Sequence, residues 1–167
     1  MRSIALLIHI IIYTSTLSAA DIFLHIQRVK KVSIGFPEFA SKDKTESEKA
    51  ISKELQNVTR DDILFTRLFN LLEEGPSSGE GKIDFTNWEK TGADILLTAN
   101  LSMKEETPKE RSQIKLVASV YEIPAGNPVF QKIYRSSYKN HREIAHQFVA
   151  DFMYRFTGHR GVSSSKI

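Results

Sequence analysis

The sequence predicts an α/β fold: one domain with a mixed β-sheet and helices packed on it. Three observations predict it. Segments with apolar residues at period two alternate with segments at helical spacing. The run Ala93 to Ala99 is nearly all apolar, as in a strand buried on both faces. Two further extended segments, 114–121 and 129–138, flank the turn Pro124-Ala125-Gly126-Asn127 and read as an antiparallel hairpin.

The chain opens with a compartment signal. Residues 1–20 read as a secretory signal peptide, with Arg2 as the positive region and an apolar stretch from Ile4 to Tyr13. Small residues Ser18-Ala19-Ala20 precede Asp21, which predicts cleavage between Ala20 and Asp21. The alternative is an uncleaved anchor, but a spanning helix needs about 20 apolar residues and this run is about half that. The domain is expected over 21–160, with a polar tail over 161–167.

After Asp21, Ile22, Leu24 and Ile26 alternate with Phe23, His25 and Gln27, which argues an extended segment or short strand. The basic cluster Arg28, Lys30, Lys31 follows. Val32 to Phe36 is a second strand candidate, broken by Pro37 and closed by Phe39. Thr45-Glu46-Ser47-Glu48 is a capping box, and Ala50, Ile51, Leu55, Val58, Thr59 and Ile63 carry a helix to about Phe65. Phe69 to Leu72 is a short strand, Glu73 to Lys82 a loop, and Asp84 caps a short helix stopped by Gly92. Residues 102–112 read as a charged loop after the buried strand. Asn140 with Glu143 should cap the last helix, whose apolar face is Ile144, Ala145, Phe148, Val149, Phe152 and Phe156, with Gly158 as its stop.

Composition excludes several classes. The 167 residues are 41% hydrophobic and 26% charged, enough to bury a core, and one domain is expected at this length. With 23 basic and 20 acidic residues the net charge is +3, and no basic stripe carries interleaved aromatics, so no nucleic-acid surface is expected. Cysteine is absent, which removes disulfides, thiolate metal sites and thiol nucleophiles. An exported chain without cysteine suits a bacterial periplasm better than an oxidising extracellular niche.

No catalytic constellation emerges. Gly75 to Lys82 resembles a phosphate loop only superficially, because Pro76 stands where its first glycine should be and Ile83 where a magnesium ligand belongs. His141 and His146 lie five apart rather than the four of a helical zinc pair, and read as exposed helix histidines. Asp61-Asp62, Glu73-Glu74 and Glu105-Glu106 are sequence neighbours that point about 100° apart on a helix, so they read as solvated faces. No nucleophile elbow is present. The chain is read as a non-enzyme with no cofactor and no metal.

The segment from Ile144 to Gly161, with Ala145-His146 at one end and Thr157-Gly158-His159-Arg160-Gly161 at the other, resembles the end of the TolB amino-terminal domain. Val32 to Phe39, Phe65-Thr66-Arg67-Leu68-Phe69, Ile83 to Trp88 and Gly92 to Thr98 match the family in order. The resemblance covers essentially the whole mature chain. Two departures stand out: Arg67 sits where the family often has glycine, and Ser163 where an apolar residue is usual. TolB proteins continue into a β-propeller, whose first strand would begin at residues 161–167.

The resemblance implies an anticodon-binding-domain-like arrangement of sheet and helices. It also implies a periplasmic, protein-binding member of the Tol-Pal system, which supports outer-membrane integrity and invagination during cell division. The family's mature N-terminus reaches the inner-membrane protein TolA, which here implicates Asp21, Ile22, Phe23, Leu24, His25, Ile26, Gln27 and Arg28. Period two suits addition of that segment to a partner's sheet edge, and equally the first strand of the domain's own sheet. Docking of the lipoprotein Pal belongs to the propeller and is not expected of these residues. No integral membrane segment is expected after cleavage. A different class of function, an exported small-ligand or glycan-binding module with a site in loops 73–82 and 102–112, or a remnant without function, remains the alternative.

Overall fold

The computed structural model describes residues 31–43, 45–76, 83–104 and 113–159. The predicted signal peptide, the segment Asp21 to Arg28 and the tail lie outside them. The described chain forms six strands, three α-helices and one 3-10 turn: β1 (Val32–Gly35), β2 (Ala40–Ser41), α1 (Glu46–Phe65), β3 (Phe69–Leu72), α2 (Phe85–Lys90), β4 (Ile95–Lys104), β5 (Gln113–Glu122), β6 (Pro128–Ser137), the 3-10 turn Tyr138–Asn140, and α3 (His141–Thr157).

The strands make one mixed sheet in the order β3-β1-β4-β5-β6. β1 pairs in parallel with β3 and β4, while β4, β5 and β6 form an antiparallel ladder. The expected α/β class with a mixed sheet is therefore the observed one. β2 was not anticipated: two residues are too few to show a period. It continues the lane of β1 beside β4, with Gly35 opposite Leu96 and Ala40 opposite Asn100. The interruption at Phe36–Phe39 contains Pro37, which has no N–H to give a ladder. Side chains of α1 satisfy the backbone there: Ser52 Oγ donates to Phe39 O at 2.9 Å, and Gln56 Oε1 accepts from Phe39 N–H at 3.3 Å.

α1 and α3 cover one face of the sheet. Ile51, Leu55, Val58 and Ile63 of α1, with Ile144, Phe148, Val149 and Phe152 of α3, meet Leu97, Leu101, Ile114, Leu116 and Val120 in the main core. Phe148 is fully buried, with its ring near those of Phe130, Tyr134 and Phe152. A smaller cluster of Trp88, Ala93, Leu96 and Ile123 lies apart from it. A Cβ on Gly35 would stand 2.7 Å from the Trp88 ring, which explains why that strand position has no side chain.

Several local expectations need correction. Residues 102–104 belong to β4, where Met103 faces Ile114 and Lys104 faces Gln113, because the inward alternation of Leu101 and Met103 outlasts the rise in charge. Residues 105–112 lie outside the described set. The capping box is half formed: Thr45 Oγ1 accepts from Glu48 N–H at 3.2 Å, but the Glu48 carboxylate does not return to Thr45. It is buried, and accepts instead from the N–H groups of Asp43 at 2.7 Å and Met103 at 3.1 Å. Asn140 is the N-cap of α3 by position, yet its side chain makes no capping bond. Its backbone, φ −113 and ψ 22, follows a 3-10 turn rather than the extended approach that aims a cap side chain at the helix. Gly158 stops α3 as expected, at φ 74 with its N–H on Tyr154 O.

Candidate partner-binding site

Asp21, Ile22, Phe23, Leu24, His25, Ile26, Gln27 and Arg28 all lie outside the described residues. The described part of the domain begins at Lys31. Lys31 is exposed, and the next residue, Val32, is paired with Phe69 at the start of β3. Immediately before Phe69 the chain leaves α1 through a turn with exposed apolar side chains: Leu64, Phe65 and Leu68 are 45%, 74% and 49% exposed. The turn closes on Thr66, whose hydroxyl donates to Ile63 O at 2.7 Å and accepts from Leu68 N–H at 3.3 Å. Arg67 is left-handed there, with φ 59. The first described strand therefore begins beside an apolar rim that also carries Arg67.

A second feature is an open groove of about 620 Å³ between the β1–β2 break and α1. Lys49, Lys53, Arg60 and Phe39 are among the residues that line it. Arg60 Nη1 stands 3.8 Å from Glu73 Oε2. Of the loops expected to build a small-ligand site, the described part contributes Glu73 to this groove. Residues 77–82 and 105–112 lie outside the described set, and Ser102 to Lys104 are strand.

The histidines of α3 are not simply exposed. His141 Nε2 is 2.8 Å from Glu54 Oε2 on α1, and its Nδ1 is 2.7 Å from Tyr138 O. His146 Nδ1 is 2.6 Å from Asp62 Oδ2. Asp62 is thus a partner in an inter-helix pair and not part of a solvated face. Hydrogen bonding from His141, with Arg142 adding a further bond at 3.0 Å, holds the Glu54 carboxyl below its ordinary range despite some desolvation. The sequence signal for these pairs is slight. Glu54 and Asp62 are eight apart, which puts them on one face of α1, but that α3 lies against this face is a tertiary fact. Among the described residues no group of three or more His, Asp or Glu gathers as metal ligands would, and no helix is long and apolar enough to cross a membrane.

Comparison with known proteins adds four findings. The TolB amino-terminal domain family model matches residues 21–122. A protein TolB homolog of Chlorobium luteolum is 32% identical over 124 residues, covering 71% of this chain and 27% of that protein. The Tol-Pal system protein TolB of Desulfosudis oleivorans is 25% identical over 176 aligned positions, 99% of this chain and 39% of that protein. The chain therefore spans well under half the length of the curated relatives it matches. The crystal structure of TolB from Acinetobacter baumannii superposes with a TM-score of 0.56 at 12% identity, over 78% of this chain and 29% of that one, so the two share a fold.

Proposed function

The chain belongs to the family of TolB amino-terminal domains, and on that premise we propose that it is a periplasmic protein-binding component of a Tol-Pal-type system. It acts without catalysis, in the envelope process that maintains the outer membrane and draws it inward at division. Its contact is the mature N-terminal segment Asp21 to Arg28, which adds as a strand to a sheet edge of a TolA-like inner-membrane protein. The observation that carries this reading is the start of the family match at Asp21, the first residue after the predicted cleavage point. The alternation of Ile22, Leu24 and Ile26 supports the strand-addition mode, in which backbone hydrogen bonds give affinity and alternate side chains give specificity.

A proline in that row provides the test. Leu24→Pro removes one backbone donor and disrupts an added strand. The reading expects loss of binding to the carboxy-terminal domain of the cognate TolA with an unchanged melting temperature. Loss of stability together with binding would make 22–29 an internal strand and overturn the contact. Unchanged binding would overturn it as well. Arg28, Lys30 and Lys31 beside the row should steer association with an acidic partner, an effect that fades as salt rises past about 0.15 M.

A further inference from the structure

The helices cover one face of the β4–β5–β6 ladder. On the other face α2 approaches only the Leu96–Tyr121 end, where Phe85 and Tyr121 meet at 5.5 Å. The next row, Thr98 and Ser119, is also buried, with Gln131 Nε2 donating to Ser119 Oγ at 3.1 Å; beyond it no described helix packs on this face. The strand register sets the residues of that open face in rows across the sheet. Ser102, Lys115 and Arg135 form one row, and Asn100, Val117 and Ile133 the next. Lys115 and Arg135 are therefore directly opposite one another. Facing residues on neighbouring strands stand about 5 Å apart, and like charges so placed repel. A merely solvated face would gain by opposing unlike charges. Here the described residues of β5 and β6 that point away from the helices include Lys115 and Arg135 and no carboxylate. Beside the cationic row, Ile133 is 45% exposed and Val117 half-buried.

We propose that this open sheet face is a second docking surface, which receives the acidic face of a partner protein with an apolar side chain set on Val117 and Ile133. The charge pattern selects the occupant. The opposed pair is relieved when an anionic group lies between Lys115 and Arg135, and the apolar row next to it supplies the desolvated contact that charge alone does not. The two cations of the row are fewer than the four to eight of a typical anionic-membrane patch. Stacking aromatics for a nucleic acid are missing from the rows, since Tyr121 is turned to Phe85. The proposal uses no residue of Asp21–Arg28, so its test is independent of the contact proposed above.

The test is a charge swap followed by amide shifts in the full mature chain. The probe is a peptide of about twelve residues alternating glutamate with valine, and its control alternates lysine with valine. The acidic peptide should shift the amides around Lys115, Val117, Ile133 and Arg135, and the basic one should not. Lys115→Glu creates an opposite-charge pair with Arg135, so it should hold or raise the melting temperature while weakening the acidic peptide about tenfold. The double variant Lys115→Glu/Arg135→Glu restores repulsion with the sign reversed and should bind the basic peptide instead. Shifts elsewhere on the domain, or binding indifferent to these changes, would overturn the proposal. So would phosphatidylglycerol vesicles that shift the same amides while the peptide does not, which would make the face a lipid contact.

Discussion

Glu54 of α1 and His141 at the start of α3 meet at 2.8 Å, carboxylate oxygen to ring Nε2, and tie together the two helices that cover the sheet. Arg142 Nη1 donates to the second carboxylate oxygen at 3.0 Å. Both oxygens of Glu54 thus serve α3, and the pair is a link between helices rather than ornament on either.

That link is sensitive to acid. His141 holds the folded-state pKa of Glu54 below its ordinary 4.5, so the unfolded chain binds the proton more readily. The contribution to stability is complete above the unfolded value and is lost as pH falls below about 4.5 through the folded one. Melting curves of the native chain and of Glu54→Gln should converge between pH 6 and about pH 3.5. Parallel curves would show that the carboxylate gives nothing beyond a neutral hydrogen bond.

Phe148 is fully buried between the sheet and α3. Phe148→Ala should cost roughly 3–5 kcal/mol, the usual figure for an aromatic core truncation. In a domain of this size each kcal/mol moves the melting temperature by about 2–4 °C, so a fall of at least about 6 °C is expected by scanning calorimetry. A fall of one or two degrees would mean that the cavity collapses without loss.

Arg67 adopts φ 59 in the turn from α1 to β3. A non-glycine residue in that region costs about 1–3 kcal/mol, which glycine avoids at the expense of about 0.5–1 kcal/mol of extra unfolded-chain entropy. Arg67→Gly should therefore raise stability in chemical denaturation by up to about 2.5 kcal/mol. A loss would show that the Arg67 side chain contributes more to the fold than its backbone costs.

The backbone elements were legible where pattern is local. α1 runs Glu46–Phe65 and β3 Phe69–Leu72, as caps and periodicity indicate, and the inward face of α3 is the one its apolar spacing marks. The end of β4 is obscured in the sequence because Ser102 and Lys104 face away from the core while Leu101 and Met103 face in, so a rise in charge masks the alternation. Glu48 was legible as a cap residue but not as a brace, because its acceptor role depends on Met103, 55 positions away. The opposition of Lys115 and Arg135 follows from register, which the turn length and the bulge near Tyr121 decide. The candidate site itself was legible only as a pattern in Asp21–Arg28 and through family likeness.

Tyr134 on β6 gives the last prediction, at the alkaline end. Its hydroxyl donates to Asp151 Oδ2 at 2.9 Å, and Lys132 Nζ donates to the same oxygen at 2.6 Å. Burial, followed by the hydrogen bond to Asp151 and that group's charge, pushes the Tyr134 phenol far above its ordinary value of 10. The fold thus favours the protonated phenol. Its contribution is complete below pH 10 and declines as pH rises above it, because the unfolded chain then releases a proton that the folded chain retains. Tyr134→Phe keeps the ring beside Phe148 but removes the donor, and should cost roughly 1.5–3 kcal/mol at pH 8, as for a hydrogen bond to a charged group. Lys132 and Asp151 are common to both proteins, so the difference between their denaturation curves isolates the phenol. That difference should shrink as pH rises above about 10, and a gap that stays constant would mean that the phenol ionises as easily in the fold as in the unfolded chain.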